Sequence, residues 1–325
     1  MFVTSSAPSN LWNLLLPLLL CFSLPLLLKM SGLSRGRSSL VKSLVSKLEA
    51  EKELENMDRS IWYSVDLASV KEHLALKFIQ LGEDEDTSAF IKHSFDQSDW
   101  LLTQLYYNLA KSLLSWFYCQ TDINGLLGRG SMFVFSKAHF LLLTGLEEQV
   151  QLGSLLDLGA GDGGPTSTMA GLFKEIFVTE VSQPMRKQCQ AKGFAVLEIE
   201  SWPKEETYDV ISALNLFDRC DKPLSILSDI QSSLKPGGML VVALVLPFRP
   251  YVESVPSHQP SEDMGIVGET FREQVETAVT VFEGVGFKLE SWSRVPYLCE
   301  GDLNKPLYHL NNGLFVFKKI ELLTG

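Results

Sequence analysis

The chain has 325 residues and a formal net charge of −11, from 28 Lys plus Arg against 39 Asp plus Glu. With 46% hydrophobic and 21% charged residues it holds enough apolar material for a packed core, which excludes a disordered chain. The acid excess disfavours a nonspecific grip on nucleic acid, and the five cysteines and five histidines are scattered without metal-ligand spacing, so neither a metal site nor a disulfide framework is expected.

Residues 1–30 form a hydrophobic signal or anchor segment. Within it, residues 11–28 (LWNLLLPLLLCFSLPLLL) carry no charge, and as a helix would reach about 27 Å, just short of a hydrocarbon core. Asn13, Pro17 and Pro25 interrupt that helix and no Lys or Arg precedes it, so an uncleaved anchor, a cleaved signal peptide and a packed apolar helix all remain open. Lys29, Arg35, Arg37, Lys42 and Lys47 lie on its C-terminal side, which for an anchor leaves the folded portion facing the cytosol. The lack of any Asn-x-Ser/Thr site agrees with that placement.

Residues 31–58 read as a tether and a short amphipathic helix in which Leu40, Leu44 and Leu48 recur four apart. Residues 59–150 read as an N-terminal helical extension ending in a glycine-rich lid loop. Helical patterns are expected near 61–80 and over 98–118, with Ser98 as the cap of the second. The stripe of Trp100, Leu101, Leu105, Leu109, Leu113 and Trp116 is wide enough to meet a membrane, but is expected to pack across a sheet.

From residue 151 to 321 short apolar runs alternate with helix-sized stretches. Strand candidates are 154–160, 175–181, 194–200, 208–216 and 238–247, followed by a helix over 273–287 and two last strands, KLESWSRVPY and 313–320. Five strands alternating with helices predict a doubly wound, parallel Rossmann-like α/β sheet, and the terminal pair brings it to seven strands.

The turn after the first of these strands, LLDLGAGDGG, sets Gly159, Gly161 and Gly163 between Asp157 and Asp162. Glycines let the backbone bend and approach a ligand, but the two acids would repel a pyrophosphate. S-adenosyl-L-methionine has no phosphate and brings a cationic sulfonium and ammonium, so it is the expected cofactor, with a dinucleotide or an empty structural turn as alternatives. Glu180, ending the second strand, can accept both ribose hydroxyls. Arg129, between Gly128 and Gly130, can clamp the cofactor carboxylate, although a surface arginine fits the same pattern.

Several blocks then stand in a characteristic order: INGLLGRGSMFVFS (123–136), LLDLGAGDG, TEVS, ALNLFDRCDKPL (213–224), ALVLPFRPYVE (243–253) and VPYLCEGD (295–302). Over about residues 59–320 the chain resembles the methyltransferase-like protein nine (DREV) family, departing from it at GGPTS after the glycine turn and at NKPLYHLNN near the end. The resemblance implies a class I methyltransferase whose last strand inserts antiparallel beside the fifth. It also implies methylation of the π (N-pros) nitrogen of histidine in His-x-His motifs of partner proteins, S-adenosyl-L-homocysteine as product, and an endoplasmic reticulum membrane address with the mitochondrion as a second one.

Histidine methylation needs a neutral ring that offers one bare nitrogen to the methyl donor and keeps its proton on the other. A carboxylate accepting the remote N–H selects that tautomer and stabilises the charge that develops on the ring. Asp218 is the catalytic candidate, with Asn215 beside it as an amide contact to substrate and cofactor; an ion pair with Arg219 and a turn closed by Asn215 are the structural alternatives. Tyr297 and Tyr308 are candidates for stacking on or bonding the substrate, or are core tyrosines. Phe248 and Tyr251, with Pro247, form an expected substrate wall, and Glu253 an acidic rim. Cys299 is read as packing. A lipid or quinone methyltransferase on the same fold, and a binding module without activity, are the competing readings.

Overall fold

The computed structural model describes residues 33–320, apart from positions 206 and 254. The apolar segment 11–28 lies outside the described residues. Among those described, no helix is long and apolar enough to cross a membrane.

Eight strands form one sheet. In chain order they are β1 (Met132–Phe133), β2 (Leu152–Leu158), β3 (Phe173–Thr179), β4 (Ala195–Leu197), β5 (Tyr208–Leu214), β6 (Leu234–Val245), β7 (Phe287–Glu300) and β8 (Leu307–Lys319). Their order across the sheet is β1-β7-β8-β6-β5-β2-β3-β4. Strands β2 to β6 pair in parallel, as their nearly continuous apolar runs require, and β8 lies antiparallel between β6 and β7. This is the class I methyltransferase arrangement expected from the sequence, with one strand more. The extra strand is β1, which pairs antiparallel with β7 through Met132 and Cys299; two residues are too few to leave an alternating pattern.

Each sheet face has its own core. On one, Leu227 and Ile230 of helix α9 (Pro223–Ser233) and Val275, Ala278 and Phe282 of α10 (Phe271–Gly284) pack on the sheet's Leu156, Ile211, Leu240 and Phe317. On the other, Trp62, Tyr63, Ile91, Phe135, Phe140 and Leu143 of the N-terminal extension cover Leu155, Val210, Val241, Val295 and Leu314. The extension therefore supplies one of the two layers a central sheet needs. Buried polar bonds fix it there: the Trp292 indole donates to the Leu74 carbonyl at 2.8 Å and the Ser291 hydroxyl to that of Leu143 at 2.6 Å.

The extension departs from the expected helices in three places. Helix α1 (Leu33–Asn56) runs through most of the region read as tether. Over 61–80 there is no long helix: two 3-10 turns (Arg59–Trp62 and Leu67–Ser69) and the single-turn α2 (Glu72–Ala75) lead to a bridge between Phe78 and Trp292, because backbone bonds to β7 replace helical ones. The 98–118 segment is broken at its start. Ser98 ends α3 (Glu85–Ser98) instead of capping the next helix, and α4 (Leu101–Leu114) begins after Trp100. The break is held by Lys47, whose ammonium donates at 2.7 Å both to the Ser98 carbonyl and to the Asp99 carboxylate. Nor does α4 lie across the sheet: Trp100, Leu102 and Leu113 are exposed, as are Trp116 and Phe117 beyond its end.

Two further helices position the site. Helix α5 (Gln120–Leu127) docks on α8 (Gln183–Ala191), close enough that a Cβ on Gly125 would stand 2.8 Å from Pro184 Cβ. Helix α6 (Lys137–Thr144) leads into β2, and α7 (Gly164–Ala170) comes directly after the glycine turn.

Candidate active site

All three turn glycines adopt left-handed backbone, with φ of 71° at Gly159, 58° at Gly161 and 75° at Gly163. At Gly163 an added Cβ would also stand 3.0 Å from the Phe194 ring, so both space and conformation demand glycine there. Gly161 is different: the one atom within 4 Å of its absent Cβ is the Met132 methyl, at 3.6 Å, and the turn is open on that side.

The two aspartates do not line this opening in the way their sequence position implies. Asp157 is fully buried, accepts from Thr166 at 2.5 Å and Ser212 at 2.7 Å, and so ties β2 to α7 and β5. Burial pushes its carboxyl up to about 6, the Glu180 charge adds to this, and the two hydroxyl donors oppose it. Asp162 accepts from the Gly164 amide at 2.8 Å and lies 3.8 Å from the Lys192 ammonium, at the edge of a cavity of about 280 Å³ between α3, β1 and α7. Glu180 accepts from the amides of Gly161 at 2.9 Å and Ser182 at 2.8 Å. Each of its oxygens keeps a second lone-pair direction, so a diol can still be bound. The Ser182 hydroxyl donates to Asp122 at 2.6 Å, bringing α5 to the same place.

Arg129 is occupied by protein. Its guanidinium pairs with Glu300 at 3.4 Å, donates to Gln104 at 3.0 Å and to the Gly301 carbonyl, and lies 4.5 Å over the Tyr107 ring. Glu300 also accepts from the amides of Gly130 at 2.9 Å and Ser131 at 3.3 Å. These contacts fasten the loop to the end of β7 and give Arg129 a structural role there.

At the far end of β5 the chain turns sharply. Asn215 has φ 57°, and its amide N–H donates to the Ala243 carbonyl at 2.9 Å, leaving both side-chain amide atoms buried without a partner. Asp218 comes next in the site, 3% exposed. One carboxylate oxygen lies 3.1 Å from the Arg219 guanidinium while the other is buried and unpartnered. Burial raises its carboxyl above the usual range and Arg219 opposes the rise. Both sequence alternatives for Asp218 are thus present at once: an ion pair on one oxygen, a free acceptor on the other. A cleft of about 360 Å³ opens beside it, lined by Arg219, Val245, Pro247, Arg249 and Leu310 among others.

Tyr297 is partly buried. Its hydroxyl contacts the Met132 sulfur, and burial, with Cys299 and the Asp218 charge adding to it, drives its ionisation well above the ordinary range. Met132 thus touches both Tyr297 and the open side of Gly161. Tyr308 sits at the tip of the β7–β8 hairpin, where its hydroxyl donates to Asp302 at 3.1 Å. Phe248 donates its amide to Gln274 at 2.6 Å and packs on the core, and the Tyr251 amide donates to the Asp218 carbonyl at 2.8 Å. The Tyr251 ring stacks on His258 at 4.6 Å. Glu253, read as an open acidic rim, accepts from the Gln120 amide and the Thr121 hydroxyl at 3.1 Å each, capping α5.

The structure therefore gathers Gly159, Gly161, Gly163 and Glu180 at one end of the sheet rim, and Asn215, Asp218 and Tyr297 at the other. Sequence reasoning missed Met132, which joins them, and Asn312, whose two amide atoms are also buried and unpartnered. An apolar residue in a lid and one amide in an Asn pair carry no chemical signature in sequence.

Residues 62–319 match the family described as DREV methyltransferase. The chain belongs to the DREV methyltransferase family. Among solved structures, this DREV methyltransferase is similar to the N-methyltransferase NodS of Bradyrhizobium japonicum in complex with S-adenosyl-L-homocysteine, at 16% identity and a TM-score of 0.38 over 53% of this chain and 80% of that one. It is also similar to the YcgJ protein of a Bacillus, at 14% identity and a TM-score of 0.38 over 54% of this chain and 95% of that one. The assignment rests on the family match, not on these distant likenesses.

Proposed function

We propose that this DREV methyltransferase transfers a methyl group from S-adenosyl-L-methionine to the π nitrogen of histidine in His-x-His motifs of protein substrates. The observation that carries the reading is Asp218: a buried carboxylate at the sheet rim with one oxygen held by Arg219 and the other left without a donor. An unpaired buried acceptor is costly and calls for a ligand N–H.

The glycine turn fits the cofactor, since a side chain on Gly161 would fill the space beside Met132, and Glu180 ends β3 where the ribose diol is expected. When bound, S-adenosyl-L-methionine supplies an electrophilic methyl on a cationic sulfur. The chain's own residues do the rest. Asp218 accepts the N–H of the remote ring nitrogen, which turns the bare π nitrogen toward the methyl and stabilises the ring as it becomes cationic. Asn215, pinned by its amide to Ala243, offers its side-chain amide from the adjacent position. Tyr297 closes the wall opposite; burial keeps its hydroxyl neutral, so it acts as a donor or by contact and not as a base. Membrane association through residues 11–28 belongs to the same proposal.

The full chain incubated with methyl-labelled cofactor and a His-x-His peptide should yield π-methylhistidine, and Asp218→Ala should lower kcat/KM at least a hundredfold. Label appearing only in lipid or quinone would replace the substrate, and no heat on titration with S-adenosyl-L-homocysteine would leave a binding module.

A further inference from the structure

Strand β8 carries a polar side chain where its neighbours are apolar. Asn312 is fully buried, faces Val245 of β6 and Val295 of β7 in register, and is followed by Leu314 and Val316 on the same face. A primary amide offers two donors and two lone pairs, and here neither the nitrogen nor the oxygen has a partner. A leucine would fill the site without that penalty, so the fold holds an unsatisfied amide in its core.

Its position says what the amide faces. Val245 is the last residue of β6, so Asn312 stands at the same rim as the end of β5, where Leu214 pairs with Ala243 and Asn215 is the next residue. On its other side, Tyr297 lies two residues from Val295 along β7 and shares its face. Burial first, then Cys299 and the Asp218 charge, raise the ionisation of the Tyr297 hydroxyl. Asn312 is therefore set in the sheet between the strand that carries Tyr297 and the strand that leads to Asn215 and Asp218. Of the nine buried unpartnered side-chain atoms among the described residues, five belong to Asn215, Asp218 and Asn312. Orphaned polar atoms gathered at one rim mark a surface built for a polar guest, because scattered ones would each be eliminated at no loss.

We propose that Asn312 is a specificity-determining residue for the methyl acceptor: its amide forms the floor beneath the substrate ring, and with Asp218 it fixes the rotation that decides which ring nitrogen meets the methyl donor. The inference rests on the histidine reading above. Asp218 alone is one point of contact, about which a planar ring can still swing or flip; a second polar contact from β8, across β6 from the strand that leads to Asp218, removes that freedom.

The test compares the wild-type full chain with Asn312→Leu and Asn312→Ser in four measurements: melting of the ligand-free protein, affinity for S-adenosyl-L-homocysteine, kcat and KM on a His-x-His peptide, and the ratio of π- to τ-methylhistidine. Asn312→Leu is expected to melt at or above the wild-type temperature and to bind S-adenosyl-L-homocysteine within twofold. It should lose at least tenfold in kcat/KM and raise the τ fraction at least fivefold, with Asn312→Ser intermediate. A Leu variant that melts lower with kinetics and product ratio unchanged would make Asn312 a scaffold residue, and equal loss of S-adenosyl-L-homocysteine binding would move it to the cofactor side; either overturns the proposal. If the Leu variant does not fold, Asn312→Ser decides on the same product ratio. A wild-type chain inactive on every histidine peptide sinks the histidine reading itself, whereas an active wild type with an indifferent Leu variant sinks only the role of Asn312.

Discussion

Replacing Asp157 by Asn tests whether the acid of the glycine turn is a structural group titrating inside the core. In the fold its carboxyl stands at about 6, mainly because burial penalises the charge, while in the unfolded chain it returns to the ordinary aspartate value of 3.8. The difference between these two values corresponds to about 3 kcal/mol. Because the folded value is the higher one, the folded state holds the proton more tightly. The stability contributed by that proton is fully present below pH about 4, is lost as pH rises through about 6, and is absent at pH 7. The asparagine of the variant would be neutral throughout and nearly the same shape, and the Ser212 and Thr166 hydroxyls can rotate to serve it. Equilibrium urea unfolding of both proteins at half-unit steps from pH 4 to pH 7, at constant m-value, gives the difference directly, and other titrating groups cancel in it. Wild type should lose about 2 kcal/mol relative to Asp157→Asn across that range, the rest of the change lying below pH 4. A difference that stays flat from pH 4 to pH 7 would refute the claim that burial governs this carboxylate.

Three further outcomes are expected from the contacts. Gly163→Ala places a Cβ on a residue at φ 75° and 3.0 Å from Phe194, and should lower stability by about 1–3 kcal/mol by thermal melting, together with affinity for S-adenosyl-L-homocysteine by calorimetry. Glu300→Ala removes the acceptor for the amides of Gly130 and Ser131 and the partner of Arg129, so limited trypsin digestion should cut after Arg129 several times faster than in wild type. A chain beginning at residue 151 keeps all the parallel strands but exposes Leu155, Val210, Val241 and Leu314, and should be aggregated or molten by near-UV circular dichroism.

The parallel strands were legible because burial on both faces leaves continuous apolar runs, and β6 and β8 read as strands for that reason. Seven of the eight strands and helix α10 lie close to where their patterns put them. The N-terminal extension was not legible. Between Arg59 and Ala75 the chain makes 3-10 turns and one helical turn, after which Lys77 and Ile79 bond to Trp292 of β7, and such short turns and tertiary partners leave no period in sequence. The broad apolar stripe of 98–118 suggested a buried helix, yet Trp116 and Phe117 are more than four-fifths exposed, since hydrophobicity alone does not say which face is covered. At the site, Asp218 and Asn215 stood out through the family resemblance and their place beyond a strand end, and the pairing of Asp218 with Arg219, the structural alternative, is also present. Asp157 was misread from its charge: the pattern placed it at the turn correctly but could not tell that Thr166 and Ser212 draw it inward. Asn312 lies in a stretch, NKPLYHLNN, where nothing in sequence separates the buried amide from the exposed ones beside it.

Strand β8 comes last in chain order among the described elements and yet occupies the interior of the sheet, between β6 and β7. Until it emerges during synthesis, β6 has a bare edge whose Leu240, Val241, Val242 and Leu244 side chains are wholly apolar, an invitation to pair with another nascent chain. Synthesis of β8, down to about Lys319, is thus the event that closes the sheet, and removing that strand leaves an open seam rather than a smaller fold.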